Sequence, residues 1–72
     1  MEALKVSIDD IVAATGESRN VVYDAIKAGH LKTFLVGRRR FSRPRYVLDW
    51  VDLLERESNA GRPVVYRARG RS

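Results

Sequence analysis

The chain has 72 residues, no cysteine and a net charge of +5 at neutral pH. A domain this small buries only about 60% of the surface its unfolded chain exposes. Without thiols it has neither a disulfide framework nor a thiolate metal site to reinforce it, a composition that fits a reducing cytosol. No apolar run approaches membrane-spanning length, and residues 1–5 lack the apolar region of a signal peptide. The expectation is a cytoplasmic protein with no membrane partner.

In chain order, Ser7 and Asp10 form the outline of a capping box, and Ile8, Ile11, Val12 and Thr15 repeat at helical spacing, so a first helix is expected over residues 8–15. Gly16 and Glu17 break that pattern. Ser18 offers the N-cap of a second helix reaching to about Ala28, with Gly29 as a left-handed stop. Residues 31–36 read as a strand, Gly37 and Arg38 as a turn, and residues 39–42 as the returning strand. Pro44 suits the first turn of a third helix, in which Val47, Trp50, Val51 and Leu54 form one apolar stripe and which should fade near Ser58. Beyond it Gly61 and Pro63 interrupt regular structure. The fold class expected is small α+β, a winged helix-turn-helix over residues 1–57. Residues 58–72 are expected to form a basic, flexible tail in which Val64, Val65 and Tyr66 could pair as a short strand.

Charge is blocked along the chain. Residues 1–36 carry net −1 and residues 37–45 carry five arginines and no acid; residues 46–57 carry net −3 and residues 58–72 add four arginines. Two positive blocks separated by an acidic one suggest a polyanionic partner, with an opposite face turned away from it. Neither block is an amphipathic helix with large apolar residues, which places nucleic acid ahead of a lipid surface.

On the second helix, Arg19, Asn20, Tyr23, Asp24 and Lys27 share a polar arc, while Val21, Val22, Ala25 and Ile26 occupy the other side. Arginine pairs bidentately with guanine and asparagine with adenine, and tyrosine and lysine contact phosphate. Ser18, Arg19, Asn20, Tyr23 and Lys27 are therefore the expected major-groove contacts. Three consecutive arginines in a strand cannot all face one way, so of Arg38, Arg39 and Arg40 at least one should turn to the body and two reach the minor groove. Arg43 and Arg45 are placed for phosphates. Five or six neutralised phosphates would give a slope of log K against log salt of about −5. Arg62, Arg67, Arg69 and Arg71 are expected either to add tail contacts or only to solubilise the end.

Tyr46, Trp50 and Leu53 widen the apolar surface of the third helix, which offers two readings. Either a small domain uses all of it internally, with Trp50 as its largest core piece, or part of it meets a protein partner. Enzymatic chemistry is not expected. The one histidine, His30, has no companion ligands, no glycine loop cradles phosphate, and Asp9 and Asp10 sit where carboxylates favour a helix dipole. No cofactor, metal or small-molecule substrate is called for.

The run Ser18-Arg19-Asn20-Val21-Val22-Tyr23, then Ile26, Gly29 and Leu31, then Val36-Gly37-Arg38, resembles the excisionase family of small winged-helix DNA-binding proteins, itself similar to the MerR-type DNA-binding domain. The likeness covers about residues 4–56. It departs from the usual pattern at Lys32, where proline is common, and at Asp24 and Leu35, where basic residues are frequent. The resemblance implies that the second helix enters the major groove through Arg19, Asn20 and Tyr23 and that the wing enters the minor groove through Arg38, Arg39 and Arg40. It further implies cooperative binding of further copies along neighbouring DNA repeats, bending of attachment-site DNA and an integrase partner steered toward excision. A short MerR-like transcriptional regulator is the alternative within the same fold, and an adaptor using the third-helix apolar face is the alternative from another class.

Overall fold

In the computed structural model, which describes residues 3–66, the chain forms three helices and a three-stranded antiparallel sheet, an α+β arrangement. The order is β1(Val6–Ser7), α1(Ile8–Thr15), α2(Arg19–Lys27), β2(Phe34–Val36), β3(Arg39–Ser42) and α3(Pro44–Asn59).

The helix boundaries follow from local hydrogen bonding. Ser7 Oγ accepts the Asp10 amide at 3.1 Å and the Asp10 carboxylate accepts the Ser7 amide at 3.0 Å, so the first turn of α1 closes reciprocally. The Ser7 amide, and then the Ser7 hydroxyl, hold the Asp10 carboxyl below its ordinary value of 3.8. At the other end Gly16 adopts φ 77° and its amide donates to the Val12 carbonyl at 3.0 Å, a left-handed cap open to glycine without strain. Ser18 Oγ accepts the Val21 amide at 3.2 Å and starts α2. Past Lys27 the chain turns through Gly29, and the His30 amide bonds back to the Ala25 carbonyl at 2.9 Å.

Two elements differ from the sequence expectation. The strand expected over residues 31–36 begins only at Phe34, because Leu31 is drawn into the core (2% exposed) as the chain wraps the end of α2. Val6 and Ser7 form an extra strand, pairing Val6 with Ser42 and Ser7 with Phe41 along β3. Two residues are too few to show alternation. The β2–β3 hairpin turns at Gly37 and Arg38 as expected, with Phe34 opposite Phe41, Leu35 opposite Arg40 and Val36 opposite Arg39.

The core is Ile8 and Ile11 of α1, Val22 and Ala25 of α2, Leu31, and Trp50 of α3. Each large member contributes about 1.5–3 kcal/mol on full burial. Trp50 is wholly buried, the largest core side chain, so of the two readings of this surface the internal one holds for Trp50 and the protein-contact one does not. Val51, expected in the apolar stripe, is 40% exposed instead. It lies about 80° around α3 from the direction that Trp50 and Leu54 set, at ~100° per residue.

The boundary at residue 57 also changes. Helix α3 runs on to Asn59, Arg62 pairs with Glu57 at 3.2 Å, and the chain comes back to place Tyr66 against the core. Trp50 Nε1 donates to Tyr66 Oη at 2.9 Å, and that oxygen lies 2.9 Å from His30 Nδ1. With its proton on Nε2, His30 accepts the Tyr66 hydroxyl hydrogen. Residues 64–66 make no strand. The segment through Tyr66 therefore belongs to the folded unit, tied by one phenol to both the end of α2 and the centre of α3. Burial pushes the Tyr66 hydroxyl pKa up; the Trp50 hydrogen bond opposes this, and the charges of Glu17 and Asp24 reinforce it. Among the described residues no helix is long and apolar enough to cross a membrane.

Candidate nucleic-acid interface

Helix α2 and the β2–β3 hairpin meet across an open cleft of about 330 Å³, lined by Ser7, Ile8 and Asp9 from the start of α1, Arg19 and Tyr23 from α2, and Leu35, Arg38, Arg39 and Arg40 from the hairpin. Four guanidinium-bearing residues from two separate elements thus border one opening. The α1–α2 turn sets the position of Arg19, and the Gly37 turn at φ 62° brings the hairpin tip round beside it.

Within the cleft the cations are held differently. Arg19 forms an ion pair with Asp9, across the two helices, with both side chains more than half exposed. At that exposure water screens the attraction, so the pair contributes about 0–1 kcal/mol and its partners exchange readily. Arg40, half-buried, donates from Nη1 to Thr33 Oγ1 at 2.6 Å and is the hairpin arginine that turns to the body. Arg39 lies with its guanidinium carbon 5.5 Å from the centre of the Phe41 ring, which Lys5 Nζ approaches at 4.3 Å. Arg38 is exposed at the tip.

The other expected contacts are placed as follows. Ser18 spends its acceptor on the Val21 amide. Asn20 and Lys27 are exposed on α2 but line no part of the cleft, and Tyr23, expected on a free arc, is half-buried, packing against the core while also lining the opening. Asp24 is half-buried as well. Arg62 is engaged with Glu57. Arg67, Arg69 and Arg71 lie outside the described residues.

Arg43 and Arg45, expected beside the hairpin arginines, are not brought to the cleft. With Pro44 they line a separate depression near Leu4 and Leu48. They open α3, whose first turn holds no acidic residue and whose N-cap, Arg43, makes no side-chain cap bond. Cations at a helix N-terminus cost about 0.3–1 kcal/mol each where carboxylates would gain as much. Arg45 stacks on Tyr46, its guanidinium carbon 5.3 Å from the ring centre, and Lys32 Nζ approaches the same ring at 5.6 Å. A hydrogen bond from Arg45 and its charge lower the Tyr46 hydroxyl pKa, with smaller contributions from Lys32 and Arg43. The Nε of Arg43 is shielded from solvent and has no hydrogen-bond partner among the described residues.

Of the residues proposed for protein contact, Tyr46 and Leu53 are half-buried. The exposed apolar side chains of α3 are instead Leu48 (64%) and Val51 (40%). Sequence reasoning missed Asp9 as the partner of Arg19, because its place in a first helical turn already had a local explanation. It missed Ser42 entirely: fully buried, it donates from Oγ to the Lys32 carbonyl at 2.6 Å and fixes the loop before β2 against β3. A polar residue within a strand next to Phe41 carries no sequence signal of that contact. Comparison of the chain with protein-family models, with curated proteins and with solved structures gives no match in any of the three.

Proposed function

We propose that this protein binds duplex DNA as a winged helix-turn-helix, with α2 in the major groove and the β2–β3 hairpin as a wing in the adjacent minor groove. The observation that carries the reading is the single cleft bordered by Arg19 and Tyr23 from the helix and by Arg38, Arg39 and Arg40 from the hairpin. A helix and a two-stranded ribbon are the two elements that grooves admit, and guanidinium groups suit both phosphate and guanine edges. Arg38, exposed at the tip, is the side chain for the narrow groove; Arg39 and Arg40 flank it. Arg19 exchanges Asp9 for a phosphate or base edge on binding, and the exposed Asn20 is the adjacent reader.

The resemblance to excisionases supports a more specific role, that of an architectural factor which bends attachment-site DNA, binds repeated sites together with further copies of itself, and directs an integrase toward excision. On this reading the protein has no chemistry of its own and acts in the cytoplasm on DNA. The test is fluorescence anisotropy with duplex DNA, single-stranded RNA and heparin side by side, followed by footprinting over tandem sites near an attachment core. Preference for duplex DNA with a salt slope near −5 is the expected result. A slope shallower than −2, or preference for single-stranded RNA, overturns the reading.

A further inference from the structure

We propose that Lys32, Arg45 and Tyr46, with Arg43 behind them, form a second phosphodiester-binding site separate from the cleft. The inference rests on the DNA-binding reading and extends it to a second stretch of backbone.

The site is built rather than incidental. Lys32 and Tyr46 border one depression of about 490 Å³ between the end of α2 and the start of α3, while Arg45 lines a separate neighbouring depression and reaches this group through the Tyr46 ring. No residue is shared with the lining of the cleft. Buried Ser42 fixes the backbone of Lys32 through its 2.6 Å bond to the carbonyl, and Arg43 follows directly in sequence, so one residue positions cations arriving from two elements. The Tyr46 ring then serves as a shared platform for Lys32 and Arg45. Arg45, Lys32 and Arg43 all bear on its hydroxyl and lower its pKa.

An ammonium, a guanidinium and a phenol O–H converging on one surface are all donors, and the charges bearing on that phenol, from Arg45, Lys32 and Arg43, are all positive. Such a cluster sits at a helix N-terminus, where cations are locally unfavourable. A local rule broken in this way marks a site kept for a ligand, here a tetrahedral oxyanion. In a chain whose other cationic surface suits phosphates, the source is nucleic-acid backbone. It is either the flank of the duplex held in the cleft, which would have to curve toward α3, or a second duplex.

The experiment compares wild type, Lys32→Gln with Arg45→Gln, and Arg38→Ala with Arg39→Ala, on a duplex of about 30 base pairs. Salt-dependent affinity and capture of a second, differently labelled duplex are measured for each. Lys32 and Arg45 are exposed, so the double variant should keep the wild-type thermal unfolding curve. If the flank of one duplex is the source, its salt slope is shallower than wild type by about two units, from roughly 0.9 per lost contact. If a second duplex is the source, the first binding step is unchanged and capture of the second is lost. Wild-type slope together with unaltered capture overturns the second site, while loss of binding in the Arg38 and Arg39 variant leaves the cleft reading standing. Failure of the wild type to bind duplex removes both.

Discussion

The cleft and the Tyr46 cluster are both basic, yet they differ in how many of their cations are tethered by polar neighbours. In the cleft two of the four arginines are tethered by neighbours that anion binding would displace or compete with: Arg19 by the Asp9 carboxylate and Arg40 by the Thr33 hydroxyl. Around Tyr46 both Lys32 and Arg45 lie over a π-face, as only Arg39 does in the cleft over Phe41, a contact that does not neutralise their charge. A tethered arginine is positioned in advance but must give up a partner to bind, whereas a stacked one keeps its platform. The difference teaches that arginine content alone does not rank contact surfaces; what each guanidinium already touches does.

The largest effect should come from the hairpin. Replacing Arg38, Arg39 and Arg40 together by alanine removes up to three cations from the cleft and should flatten the salt slope by about two to three units, measured by anisotropy across a salt series. A change below one unit would show that the hairpin is not part of the contact and would leave the Tyr46 cluster as the stronger surface.

Next come the two hydroxyls that join distant segments, those of Tyr66 and Ser42. Tyr66→Phe leaves the Trp50 Nε1–H without its acceptor and should destabilise the fold by about 1–3 kcal/mol in urea unfolding. DNA affinity well below the unfolding transition should not change, because neither basic surface uses that phenol. Ser42→Ala should cost a similar amount while also loosening Lys32. A loss of affinity in Ser42→Ala that Tyr66→Phe does not show would separate positioning from mere stability. Because burial raises the Tyr66 pKa, its contribution is fully present below the ordinary phenol value of 10.0 and is lost as pH rises above it. In Tyr66→Phe the alkaline loss of stability should be smaller.

Asp9→Asn sharpens the contrast within the cleft. It removes a carboxylate from the opening and releases Arg19, so affinity should rise several-fold and the salt slope should steepen, with stability changed by less than about 1 kcal/mol. Unchanged affinity would show that the ion pair does not compete with the ligand. The smallest effect concerns the start of α1, beside Asp9. The Asp10 pKa is lowered by its Ser7 bonds, so the capping contribution is full above 3.8 and is lost as pH falls below it. Asp10→Asn should flatten that acid limb of the unfolding profile.

Much of the fold was legible because its signals are local. Ser7, Ser18 and Pro44 open the three helices where side-chain chemistry demands, Gly16 ends α1, and Gly37 turns the hairpin. The turn of one hairpin arginine toward the body followed from strand alternation, and Arg40 fills that role through Thr33. Contacts between residues distant in sequence were not legible. Nothing near Tyr66 announces that its hydroxyl reaches Trp50 and His30, so the end of the domain was set too early. Nor does the spacing of Arg43 and Arg45 from the hairpin show that α3 carries them away from the cleft.

Sequence alone determined the order of the helices and hairpin, where each helix starts and where the hairpin turns, and the block of arginines between residues 37 and 45, because caps, glycine turns and helical periodicity act within a few residues. Tertiary structure decided which cations share an opening, that Trp50 is core, that Tyr66 closes the fold, and that Lys32 joins Arg45 on one ring. Those outcomes depend on how α1, α2 and α3 pack around a common centre, and packing brings together side chains whose separation along the chain carries no local signal.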